Sequence, residues 1–111
     1  MCDKPLAAAF WDYEEIAPHW DKLILRAHIA EAGARTLYQE GPVSAMLDPL
    51  ALVEQFGGKA GLDEGTMMFC GTLAARGGIR PSDSFAFELE DPVLGRKIHH
   101  QYRVQTLPVL G

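Results

Sequence analysis

Glu88 and Glu90 stand two apart, so on an extended strand both carboxylates point the same way and could share a divalent cation. The plainer reading, a solvated polar face, is the stronger one, because strand carboxylates are ordinarily exposed. His99 and His100 cannot serve one ion from a regular strand, since neighbours point to opposite faces, and no CxxC or HExxH spacing accompanies them. His19 and His28 carry no better spacing. Gly71-Thr72, following an apolar run, is the best placed for binding: such a turn presents a hydroxyl and backbone N–H groups to an anionic or carbonyl oxygen. Cys70, between Phe69 and Gly71, reads as an inert core thiol rather than a nucleophile.

The elements that must position these groups are bounded by size and composition. With 111 residues there is room for one small domain, and 48% hydrophobic with 23% charged residues is ordinary globular usage. A net charge of −5 with scattered Lys and Arg provides no field for phosphates, so nucleic acid is not an expected partner. Cys2 and Cys70 form neither a disulfide framework nor a zinc spacing, and a reducing cytoplasm is the expected location. No apolar run approaches the roughly 18 residues of a membrane helix and no export signal is visible, so no membrane is expected.

Along the chain, Pro5 to Pro18 reads as an extended approach with one turn at Tyr13-Glu14-Glu15-Ile16, and Trp11, Trp20 and Phe10 are candidates to cover a sheet. Leu23, Leu25, Ala27 and Ile29 alternate with Ile24, Arg26 and His28, which predicts a strand over 21–29. A turn at 31–34 returns the chain into a second strand, Arg35 to Gln39. Val43 to Leu47 and then Leu50 to Phe56 suit helix: Asp48 caps, Pro49 takes the first helical position and Gly57-Gly58 terminates. Thr66 to Cys70 reads as a buried strand. A second hairpin follows, with Phe85, Phe87 and Leu89 alternating before the turn Asp91–Gly95, and Ile98, His100, Tyr102 and Val104 after it. The expected class is mainly β, formally α+β.

The run Gly65 to Thr72, then Gly77-Gly78, Ile79-Arg80-Pro81-Ser82-Asp83 and Phe85 to Glu90, resembles the C-terminal signature of fumarylacetoacetate hydrolase-like proteins. Lys4, the strand Leu23 to Ile29, Gln39, Ser44-Ala45-Met46 and the helix Leu50 to Phe56 follow the same order. Cys70 to Asp83 and Glu90 to Arg96 are similar to a bacterial branch catalogued as a domain of unknown function. Leu73, Ala75, Thr66 and Ser82 depart from the pattern, at positions where those proteins carry Pro, Gly, Asp and Gly.

The resemblance implies that residues 1–111 are a single C-terminal portion of such a domain, a partial β-roll with two hairpins and one short helix. It implies a catalytic role for Lys4, as a positive charge beside a carboxylate or enolate, and substrate binding by Gly71 and Thr72. An intact relative would use Mg²⁺ or Mn²⁺ as a Lewis acid in hydrolysis, hydration or decarboxylation of a 2-oxo or β-dicarbonyl acid. The carboxylate cage, with its Glu-x-Glu pair, would precede the lysine that Lys4 matches, so this chain is expected to hold no metal and to be inactive alone. Its expected partners are a small carboxylic acid in an intact relative, and a second copy or a complementing N-terminal half. The other reading is a non-enzymatic β-rich interaction or assembly module, whose uncovered edges and apolar faces pair with another chain.

Overall fold

Alternation with a period of two builds four antiparallel strands: β1 (Ile24–Glu31), β2 (Ala34–Pro42), β3 (Ser84–Asp91) and β4 (Arg96–Arg103). The computed structural model describes residues 3–111 and places these strands in one sheet of order β2-β1-β3-β4. β1 and β2 turn through Ala32-Gly33, whose φ values of 49° and 78° are the left-handed pair that a two-residue hairpin needs. Between Ala27 and His28 the register shifts, leaving Tyr38 as the extra residue of a bulge on β2.

The two hairpins, separated in sequence by residues 43–83, meet where β1 pairs with β3, from Ile24↔Glu90 to Ile29↔Phe85. Ser82 extends that junction by one step. Its Oγ accepts the Ala30 N–H at 3.1 Å and lies 2.9 Å from the Ala30 carbonyl, so a side chain stands where the next rung of the ladder would be.

One end of the sheet is covered by α1 (Tyr13–Ile16) and the 3₁₀ turns Ala17–Lys22 and Val43–Ala45. Asp12 caps α1 by accepting the Glu14 N–H at 3.2 Å. Ile16, Leu23 and Val43 form the buried cluster, with Trp11, Trp20, Leu25, Met46 and Leu89 packed around it. The two tryptophans thus cover the sheet, while Phe10 is exposed. Leu73 docks against β2 at Gly41, its two methyl groups 3.4 Å from where a Cβ would stand, so an alanine there would just touch it and only a bulkier side chain would press on the segment.

α2 (Pro49–Gly57) follows the local rules. Asp48 accepts the Ala51 N–H at 2.9 Å, Pro49 opens the first turn, and Gly58 ends it at φ 63°. Yet no side chain of α2 is fully buried.

Four expectations are corrected. The sheet is a single open antiparallel layer in a mixed α+β domain, not part of a β-roll, because β2 and β4 are outer strands that do not pair with each other. Thr66 to Cys70 is not a strand and not buried: it finds no neighbouring strand, and Met67 and Phe69 face outward. Cys70 is half-buried and free rather than a core thiol, and Cys2 lies outside the described residues. Val43–Ala45 makes a single 3₁₀ turn, ended by Met46 in extended conformation, instead of a continuous helix.

Candidate functional site

The polar face of the sheet is organised by Arg26. On β1 it lies beside Glu40 of β2 and Glu88 and Glu90 of β3, and its guanidinium donates to all three, at 2.7, 3.2 and 2.9 Å. These bonds, that to Glu90 foremost, hold the Arg26 pKa above its ordinary value, and they hold the Glu40 and Glu90 carboxyls below theirs. The pair that sequence spacing marks as a possible cation site is therefore occupied by a cation of the protein itself. Lys97 adds a second, 3.8 Å from Glu90.

A second cluster ties the N-terminal turns to the β3–β4 hairpin. Asp91 is fully buried and accepts four hydrogen bonds, from the backbone of Val93 and Leu94 at 3.0 and 3.1 Å, His19 Nε2 at 2.9 Å and Arg96 Nε at 3.3 Å. Burial alone would raise its pKa, but the bonds from His19, Leu94 and Arg96 outweigh burial and leave it below the ordinary aspartate value. Arg96 also stacks 4.5 Å above the Trp11 ring and lies 3.6 Å from Glu15. The arrangement has the parts of an acid–base dyad, but both partners are committed to holding the turn and the N-terminal segment together.

At the opposite end an open cleft of about 810 Å³ is walled by Tyr38, Phe85 and Tyr102. Phe85 meets Tyr38 edge-on at 6.4 Å and Tyr102 at 5.5 Å. Arg80 lies 5.2 Å from the Tyr38 ring, is clamped by Glu31 at 2.6 and 2.8 Å, and donates to the carbonyls of Arg76 and Gly78. Its charge is spent within the protein. Gly77 permits this close wrap, since a Cβ there would stand 3.2 Å from the guanidinium.

Gly71 and Thr72 sit beside the outer edge of β2. Gly71 has φ 127°, and Gln39 Nε2 donates to Thr72 Oγ1 at 3.0 Å and to the Leu73 carbonyl. With the bond from Arg76 N–H to the Tyr38 carbonyl at 2.7 Å, these contacts bind 72–76 along β2. Lys4 is exposed, in the extended approach ahead of α1. His99 is exposed and His100 half-buried against Phe87 and Tyr102, on opposite faces as strand geometry requires. His28 stays below the usual histidine value, through burial and then the nearby Arg35. Among the described residues there is no group of three or more His, Cys, Asp or Glu placed to hold a metal ion.

The feature that spacing did not reveal is an uncovered apolar flank. Leu47, Leu50, Phe56, Met67 and Phe69, from α2 and its flanking segments, are each between 59% and 74% exposed. Leu47 and the 66–70 segment adjoin, joined by the bond from Leu47 N–H to the Cys70 carbonyl at 3.1 Å. Leucine, methionine and phenylalanine in such density read as core in one dimension. Only the missing neighbours place them outside.

Fold and surface together define a small α+β domain with an open four-stranded sheet, polar clusters paired largely within the protein, and exposed apolar side chains on α2 and its flanking segments. The chain belongs to the family described as protein of unknown function (DUF2848), which it matches over residues 1–102. Comparison with curated proteins and with solved structures found no match. The expected membership of the fumarylacetoacetate hydrolase-like family is corrected by that family match. The metal-dependent hydrolase, hydratase or decarboxylase expectation falls with it, because the carboxylates bind arginines and no metal-holding group occurs among the described residues. No helix among the described residues is long and apolar enough to cross a membrane.

Proposed function

We propose that this chain is a non-enzymatic interaction and assembly module that covers its apolar flank by associating with copies of itself. The observation that carries this reading is surface area. A monomer of 12.2 kDa ordinarily exposes about 6,100 Å², whereas this one exposes 8399 Å², roughly 2,300 Å² more. The radius of gyration agrees, at 16.0 Å against about 13 Å for a chain of this length. The extended terminal segments carry part of that surplus, and Leu47, Leu50, Phe56, Met67 and Phe69 add large apolar side chains that a second copy would cover. A reducing, cytoplasmic setting suits the free thiol of Cys70.

Sedimentation velocity between 1 and 100 μM, paired with calorimetric titration of Mn²⁺, tests the reading. We expect concentration-dependent association and no saturable ion binding. A monomer at every concentration, or a one-site Mn²⁺ isotherm, would overturn it.

A further inference from the structure

Resting on that reading, we infer that Thr66 to Cys70 is the interface strand, and that it pairs antiparallel with the same segment of a second copy about a twofold axis at Met68. Three observations meet here. Exposure alternates from Met67 to Cys70, with Met68 and Cys70 half-buried and Met67 and Phe69 outward, the pattern of a strand lying on a core. Met67, Met68 and Phe69 make no backbone hydrogen bonds among the described residues, although their composition is that of a sheet interior. Thirdly, large apolar side chains stand exposed on this segment and on α2 and its approach, Met67 and Phe69 beside Leu47, Leu50 and Phe56, so a second copy seated here would cover apolar surface beyond the strand itself.

The sequence suits self-pairing. Residues 66–75 contain no charged side chain, so an antiparallel pair centred on Met68 opposes no like charges. In that register Met67 of one copy faces Phe69 of the other, twice over, a reciprocal sulfur–aromatic contact on the outward face. Glu64 falls opposite Thr72 and Arg76 opposite Ala60, which keeps the flanking charges apart from their own kind. Pairing would satisfy the idle backbone groups and add strand to strand in the manner of β-augmentation.

The test uses the full chain in a Cys2→Ser/Cys70→Ser background under mild oxidation. A Met68→Cys variant should cross-link to itself, because Cα atoms directly across an antiparallel pair lie about 4.5–5.5 Å apart, within disulfide reach. Since Met68 is half-buried, the exposed neighbours supply an independent check. Met67→Cys and Phe69→Cys chains should cross-link when mixed and poorly when alone. Phe69→Lys should weaken association about tenfold or more while leaving the far-UV circular dichroism unchanged. Association without either cross-link would overturn the strand pairing and leave the assembly reading standing. A wild-type chain that remains monomeric would overturn both.

Discussion

His19 Nε2 stands 2.9 Å from Asp91 Oδ2 across 72 residues of sequence, and the carboxylate it meets is wholly buried. That contact, together with Arg96 over Trp11 and beside Glu15, locks the N-terminal turns onto the β3–β4 hairpin. Asp91→Ala would strand two backbone N–H groups, His19 and Arg96 together, and we expect the melting temperature to fall by roughly 10 °C or more. Asp91→Asn keeps an oxygen for the turn and should lose less. Differential scanning calorimetry of the two variants checks the order.

Arg26 holds three carboxylates, so Arg26→Met leaves Glu40, Glu88 and Glu90 facing one another. In the wild type, the depressed pKa values of Glu40 and Glu90 contribute stability above their ordinary value of 4.5, and that contribution is lost as pH falls through the folded values. The variant lacks the larger part of it, keeping only what Arg76 gives Glu40 and Lys97 gives Glu90. The stability gap from wild type should therefore be wide at pH 7 and narrow toward pH 4, as measured by urea denaturation.

The wild-type pH profile should fall in two stages on the acid side. His28 is depressed from 6.5, so its neutral form is favoured in the fold: its contribution is present above 6.5 and lost as pH falls through the lower folded value. Glu31, held down by Arg80, joins Glu40, Glu90 and Asp91 in a second, larger loss below about 4.5. Thermal melts from pH 8 to pH 3 should show a shallow decline and then a steep one. His28→Gln should remove the shallow stage.

Leu23 is completely buried between Ile16 and Val43, and its carbonyl accepts the Val43 N–H at 3.1 Å. Leu23→Ala opens a cavity in the small core and should cost about 2–5 kcal/mol. Urea midpoints would check this.

Ser82→Ala removes the side-chain rung that continues the β1–β3 junction, leaving the Ala30 N–H without its acceptor. The expected cost is about 1 kcal/mol, accompanied by faster amide exchange at Ala30. Unchanged exchange there would show that the rung is dispensable.

Much of the fold was legible along the chain because it follows from neighbours. The alternation of Leu25, Ala27 and Ile29 makes β1, Ala32-Gly33 turns it, and Asp48 with Pro49 starts α2 one residue ahead of the first apolar position. Trp11 and Trp20 were recognisable as cover. The pairing of Glu88 and Glu90 on one face was also readable, but not that Arg26, 62 and 64 residues away, would bind both. Thr66 to Cys70 shows the limit most clearly: its residues favour a buried strand, and no strand among the described residues lies beside it.

Sequence alone determined where the four paired strands, their hairpin turns and the cap of α2 fall, since backbone sterics and local hydrogen bonds act over a few residues. Tertiary structure alone decided that the sheet stays open, that Asp91 is buried against His19, and that an apolar flank is left facing water. Those outcomes depend on which distant surfaces meet, and burial belongs to the pair of surfaces rather than to either one.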